Sequence, residues 1–237
     1  LYVVMIEQEE QKANEECAEQ GKRREQEVQE EPATLSPGIP DEAFIRGKVP
    51  MTKGEVRQVS LCSLRLQKDS VLYDIGSGTG SIAVEAAHLS KGVKVYAIEK
   101  KEEAVALLAQ NKEKFQVANM EIIQGTAPEA CNGLEEPTHV FIGGSGGHLM
   151  EILEVLAAKK RRIRVVMNAI SLETVAEFKQ VKERFSVCNF EMIQMQVSRY
   201  KRINYQYQFK PNNEYENDYI SLGKRNDKCF VRMYLKT

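Results

Sequence analysis

Several features that would assign a sequence quickly are missing here. There is no CxxC pair, no excess of one charge, and no apolar run near the roughly 20 residues that a membrane-spanning helix needs. The 33 basic and 34 acidic residues leave a formal net charge of −1, so nothing global points to nucleic acid or to a membrane surface. Cys17, Cys62, Cys131, Cys188 and Cys229 stand singly, and none pairs with His88, His139 or His148 at metal-ligand spacing. The expectation is reduced, buried thiols in a cytoplasmic protein, with no metal centre. No Ser-His-Asp or Cys-His arrangement suggests a side-chain nucleophile.

What is present is concentrated in residues 71–87, VLYDIGSGTGSIAVEAA. Val71, Leu72, Tyr73 and Ile75 have the apolar, β-favouring character of a buried parallel strand, and Ile82, Ala83, Ala86 and Ala87 recur at helical spacing. Between them lie Gly76, Gly78 and Gly80, which let the backbone turn sharply and approach a ligand at the N-terminus of the following helix. A second apolar strand, residues 93–98, ends in Glu99, an acid placed to accept hydrogen bonds from both hydroxyls of a ribose. The glycine spacing is GxGxG after Asp74. The dinucleotide fingerprint is GxGxxG, which disfavours NAD, and the absence of lysine from the turn excludes a P-loop. The strand, the turn and Glu99 together resemble the first two motifs of the class I S-adenosylmethionine-dependent methyltransferases.

With 237 residues and 42% hydrophobic content, the chain can bury one substantial core plus appendages. Residues 1–6, LYVVMI, read as a strand without a nearby partner, and residues 8–31 are too rich in Glu, Gln and Lys to bury much surface. The expected division is 1–37, the end of an upstream domain plus a charged linker; 38–211, the methyltransferase domain; and 212–237, a divergent C-terminal tail. Within the domain, Thr52 and Glu55 suggest a capping box for a helix over residues 52–66 with Val56, Val59 and Leu64 inward. A helix over 102–115 follows, and strands are expected at 120–123, 138–142 and 164–167, with amphipathic helices at 149–158 and 172–185. Such βαβα alternation predicts a mainly parallel, Rossmann-like seven-stranded sheet with helices on both faces. Alternating patterns at 187–197 and 205–209 suit a closing antiparallel hairpin. The run CFVRMYL in the tail has strand character but no evident place.

A narrower resemblance is carried by five runs in order: GIPDEAFIRGKVPMTKGEVR, DIGSGTGSIAVEAA, GTAPEA, FIGGSGGHLMEIL and NAISLET. Together they resemble the decarboxylating precorrin C15-methyltransferases of cobalamin biosynthesis. The resemblance implies C-methylation of a precorrin or cobalt-precorrin tetrapyrrole at C15, with loss of the ring C acetate carboxyl group as carbon dioxide. It implies S-adenosyl-L-methionine as cofactor, a homo-oligomer, typically a tetramer, and an upstream C5-methyltransferase domain in a longer bifunctional protein. Carried over by position, Thr52, Gly76, Ser77, Gly78, Thr79, Gly80, Glu99 and Ala127 would hold the cofactor. Thr126 departs from the family's usual acid, GDAPEA, and implies weaker cofactor binding. Gly143, Gly144, Ser145, Gly146 and Gly147 form an anion nest for substrate carboxylates, with Arg46, Lys48, Arg199, Lys201 and Arg202 as candidate cations. Asn168 and Glu173 flank the end of the fifth strand and either can face the macrocycle, while His148 could shuttle a proton. The competing readings are a class I methyltransferase for another small molecule or RNA, the latter from the basic, aromatic stretch SRYKRINYQYQF, and a cofactor-binding module without turnover.

Overall fold

A computed structural model describes residues 37–159, 161–169, 172–195, 197–203, 206–211 and 228–235; beyond Val197 the description is of backbone, Met233 aside. The chain divides into two compact units, Leu1–Thr34 and Leu35–Thr237. The first, with the expected strand at 1–6 and the charged linker, lies outside the described residues, as does the polar stretch 212–227. Among the described residues no helix is long and apolar enough to cross a membrane.

Five strands, β1 (Val71–Ile75), β2 (Lys94–Glu99), β3 (Met120–Gln124), β4 (His139–Ile142) and β5 (Ile163–Ala169), pair in parallel in the order β3-β2-β1-β4-β5. β1 and β4 are buried along their whole length, which is why, Asp74 and His139 aside, they read as apolar runs. Side chains still alternate between two cores. Leu72, Val95, Ala97, Phe141 and Val166 face α1 (Gly54–Leu64), α2 (Ser81–Leu89) and α3 (Glu102–Lys114). Tyr73, Ile98, Val140 and Val165 face α4 (Leu149–Ala157) and, through Val181, α5 (Leu172–Arg184). The strand order reverses between β1 and β4, which opens a crevice at their carboxyl ends.

The sheet closes in antiparallel fashion, but with a different partner from the one expected. β6 (Val187–Met195) pairs with β9 (Lys228–Leu235), the CFVRMYL run, and β9 lies between β5 and β6. Among the described residues, the intervening β7 (Ser198–Ile203) and β8 (Gln206–Pro211) pair with each other as a separate two-stranded sheet. The reason is chemical: an interior position needs a strand that tolerates burial, and the polar SRYKRI and QYQFKP runs, one ending in proline, do not offer that.

The capping box does not form. The first helix starts one residue later than the box requires, at Gly54, with Lys53 as N-cap and no side-chain cap bond, and Thr52 stands outside the helix, its carbonyl accepting from Arg57 Nη1 at 2.7 Å. Arg57 is completely buried. Its guanidinium bonds Asp41 Oδ1 at 3.0 Å, Glu85 Oε2 and the Ile39 carbonyl, and lies 4.8 Å over the Phe44 ring. Glu85 also accepts from the Gly38 and Ile39 N–H groups, so one arginine and two acids tie residues 38–52 to α1 and α2.

Two buried titratable groups sit on neighbouring central strands. Burial raises the Asp74 carboxyl from 3.8 to about 7, against the opposing hydrogen bonds from Ser77 and Ala83. Burial, helped by Arg164 and Arg161, lowers His139 from 6.5 to about 4. Between pH 4 and 7 the folded state therefore holds the Asp74 proton that the unfolded chain releases, so this group's contribution to stability falls as pH rises. For His139 the unfolded chain binds the extra proton between pH 4 and 6.5, and its contribution rises with pH.

Two measurements test this part of the structure. Replacing Arg57 by methionine strands two buried carboxylates and is expected to lower the unfolding free energy in urea by about 3–5 kcal/mol; a loss below about 1 kcal/mol would mean that Asp41 and Glu85 do not depend on it. In unfolding titrations at several pH values, Asp74→Asn is expected to tilt the wild-type stability profile upward with pH and His139→Gln to tilt it downward, each by up to about 1.4 kcal/mol per pH unit. Unchanged slopes would contradict the assigned shifts.

Candidate active site

The site begins with the turn after β1. The Gly76 and Ser77 N–H groups both donate to the Ile98 carbonyl, at 3.0 and 3.1 Å. Asp74 grips the turn from behind: its Oδ2 accepts from Ser77 Oγ at 2.6 Å and from the Ala83 N–H in the first turn of α2 at 3.1 Å. Gly76 has φ +71°, and a Cβ there would lie 2.5 Å from the Gly144 carbonyl oxygen, so the turns after β1 and β4 meet backbone to backbone. Gly80 caps α2 at φ +80°, where a Cβ would fall 2.0 Å from Leu108 Cδ1 of α3. Asn111, buried on α3, donates to the Thr79 carbonyl at 2.9 Å and exchanges hydrogen bonds with Ile45.

These turns border a cleft of about 430 Å³ at the carboxyl edge of the sheet. Its lining includes Gly76, Ser77 and Gly78 after β1, Glu99 at the end of β2 with Lys100 and Lys101 after it, and Gly125, Thr126 and Ala127 after β3. Gly143, Gly144, Ser145 and Gly146 follow β4, Asn168 lies on β5, and Val49, Pro50, Met51 and Thr52 form a wall from the tied segment. Glu99 is only 8% exposed yet reaches the cleft. Its Oε1 accepts from the Lys100 and Lys101 N–H groups, each at 2.9 Å, and its Oε2 from the Gly78 N–H at 3.0 Å. Three of about four acceptor positions on an ionised carboxylate are therefore in use, and the free one is on Oε2.

Of the residues singled out in the sequence, Thr52, Gly76, Ser77, Gly78, Glu99, Ala127, Gly143, Gly144, Ser145, Gly146 and Asn168 come together around the cleft. Thr79 and Gly80 are buried behind the turn, and Gly147 is exposed but outside the lining. His148 is exposed at the N-cap of α4 and Arg46 and Lys48 are exposed; none of the three lines the cleft, so the expected proton shuttle and two of the expected cations are displaced from it. The side chains of Glu173, Arg199, Lys201 and Arg202 lie outside the described residues. Sequence reading missed Lys100, Lys101 and the wall at Val49, Pro50 and Met51. A signal for both was available, since the lysines directly follow the strand-ending acid and the wall directly precedes Thr52.

Chemically, the lining among the described residues contains no cysteine, histidine or aspartate. Asn168 Oδ1 is a buried acceptor with no hydrogen-bond partner among the described residues, free to take an N–H or O–H from a ligand. The arrangement can bind and orient; among the described lining residues no histidine or aspartate stands beside a serine, threonine or lysine to activate it as a nucleophile.

Comparison with known proteins narrows the class. The family profile described as precorrin methyltransferase domain matches residues 42–217. The cobalt-precorrin-6B C(15)-methyltransferase (decarboxylating) of Salmonella typhimurium is 37% identical over 175 residues, which is 73% of this chain and 90% of that protein. Among solved structures, the precorrin-6y C5,15-methyltransferase from Geobacter metallireducens superposes with a TM-score of 0.72 at 29% identity, over 85% of this chain and 97% of that one. The precorrin 8w decarboxylase of Methanobacterium thermoautotrophicum gives 0.68 at 27% identity, over 84% and 100%. With its class I methyltransferase strand order, its cleft at the β1/β4 reversal and these matches across most of its length, the chain belongs to the precorrin methyltransferase domain family.

Proposed function

We propose that this chain is an S-adenosylmethionine-dependent C-methyltransferase of cobalamin biosynthesis that methylates a precorrin or cobalt-precorrin at C15 and removes the ring C acetate carboxyl group. The observation that carries the reading is the buried Glu99 carboxylate, facing the cleft opposite the glycine turn in a chain of this family. The residues present suit the cofactor. A Cβ at Gly78 would meet the Pro50 carbonyl at 3.1 Å, so the glycines keep open a cradle that larger residues would fill. The free acceptor position on Glu99 Oε2 suits a ribose hydroxyl, and Ile98, Ala104 and Ala127 offer an apolar wall for adenine beside it.

S-adenosylmethionine, when bound, supplies an electrophilic methyl group. The chain's own part is to position and to exclude water. Thr52 and its neighbours cover the cleft from the tied segment, while Gly76, Ser77 and Gly78 bring backbone close to the ligand. Gly143 to Gly146 present a side-chain-poor edge where substrate carboxylates can meet N–H groups, and Asn168 Oδ1 can accept a macrocycle N–H. Methylation needs no protein nucleophile, because an electron-rich ring carbon attacks. Decarboxylation moves the C–C electron pair onto the side-chain carbon, which is conjugated with the ring and then takes up a proton. A homo-oligomeric, tetrameric assembly belongs to the same reading.

Isothermal titration with S-adenosylmethionine, with NAD as control, tests the first half of the proposal. Binding of the sulfonium cofactor alone is expected, weakened roughly tenfold or more by Glu99→Ala; NAD binding, or no effect of the substitution, would refute it. Thr126 is exposed beside Ala127 and supplies a hydroxyl where the family usually has a carboxylate. Thr126→Asp is expected to tighten cofactor binding by about 1 kcal/mol, a several-fold fall in Kd in the same titration.

A further inference from the structure

Among the described residues, the cleft is lined by two cations, Lys100 and Lys101, and one anion, Glu99. Glu99 is occupied by backbone N–H groups, and among the described residues neither lysine has an ion-pair partner. The two differ in where they lead. Lys101 is the N-cap of α3, whereas Lys100 extends from the end of β2 past β1 to the loop after β4. Its ammonium lies where a Cβ on Gly146 would be only 3.2 Å from Nζ, and Gly146 has φ +61°. A glycine at this position therefore leaves room for the lysine tip. The charge is thus delivered away from the Glu99 side of the cleft, onto the loop that borders its β4–β5 half.

Resting on the proposed function, we infer that Lys100 is a specificity residue that pairs with a peripheral carboxylate of the tetrapyrrole, and that this carboxylate is not the one lost as carbon dioxide. The second part follows from charge. In decarboxylation the carboxylate's negative charge leaves the carboxyl group as the C–C bond breaks, its electron pair going to the side-chain carbon and neutral carbon dioxide departing. An ammonium paired with that carboxylate would stabilise the reactant more than the transition state and slow the step. Paired with a spectator carboxylate, the same ammonium improves binding and register without opposing the chemistry.

The test is steady-state kinetics of the full chain with cobalt-precorrin-6B and S-adenosylmethionine, with mass-spectrometric product analysis, for the wild type, Lys100→Met and Lys100→Arg. In Lys100→Met the KM for the tetrapyrrole is expected to rise roughly tenfold, with kcat and the cofactor Kd within about twofold of wild type. Lys100→Arg should restore most of the loss, raised ionic strength should shrink the difference between wild type and Lys100→Met, and the methylated product should remain fully decarboxylated in every variant. An unchanged tetrapyrrole KM in Lys100→Met, or a matching loss of cofactor affinity, overturns the inference. So does a faster decarboxylation, or a methylated product that keeps its acetate. A wild-type chain that binds the cofactor but leaves both cobalt-precorrin-6B and its cobalt-free counterpart unmethylated overturns the functional reading and this inference with it, and that outcome is read before any variant is made.

Discussion

The contact on which the cleft depends is the backbone approach of Gly76 to Gly144. Two strands that leave β1 and β4 side by side must diverge above the sheet to make a crevice, yet their first residues must pack closely to form its floor. The 2.5 Å between a virtual Gly76 Cβ and the Gly144 oxygen shows how little room that floor leaves. Once the two turns are pressed together, the Gly76 and Ser77 N–H groups are committed to Ile98, and the end of β2 is fixed relative to β1. Glu99 follows directly, since it is the next residue along that strand. The position of one carboxylate thus descends from the absence of one Cβ.

A second constraint acts from outside the sheet. The segment at residues 38–52 has little regular structure, and such a segment supplies a cleft wall only if it is tied down. Arg57, Asp41 and Glu85 perform that tying in a buried cluster where each partner's loss would leave the others desolvated. Asn111 adds a link from α3 to Ile45 and to the Thr79 carbonyl, so the same helix steadies both the wall and the glycine turn. Asp74, in turn, serves the turn rather than the ligand: its hydrogen bonds run to Ser77 and Ala83, and it is absent from the lining.

Much of this was legible before the structure, and the boundary between what was and what was not is physical. The parallel strands and the helices between them follow from apolar runs and periodicity, because tertiary packing there agrees with local pattern. Where tertiary demand overrides the local signal, reading failed. Thr52 followed by Glu55 is a sound local capping signal, but the helix begins at Gly54, and the segment before it is held by Arg57, whose partners Asp41 and Glu85 are distant in sequence. The pairing of β6 with β9 spans the polar 212–227 stretch, and no local pattern says which strand fills an interior position. At the site, the glycines and Glu99 announce themselves by spacing. Lys100 does not, because its relevance comes from reaching across a neighbouring strand to Gly146.

The chemistry of the cleft makes sense of its sparse ionisable groups. A reaction in which the leaving group and the positive charge arrive with a cofactor, and the nucleophile with the substrate, gains little from a protein acid or base near the reacting atoms. A stray titratable side chain would instead offer a competing nucleophile or a misplaced hydrogen bond. The described lining accordingly keeps its one carboxylate largely saturated by backbone N–H groups and its cations at the rim, and leaves glycines, alanines and serine facing the interior. Selection among substrates must then come from shape and from charges at the edge, where an exposed ammonium costs little to desolvate and can still choose between carboxylates by position. In such a site, catalytic power lies in the backbone geometry set by Gly76 and Gly144, and specificity lies in the few side chains that reach over it.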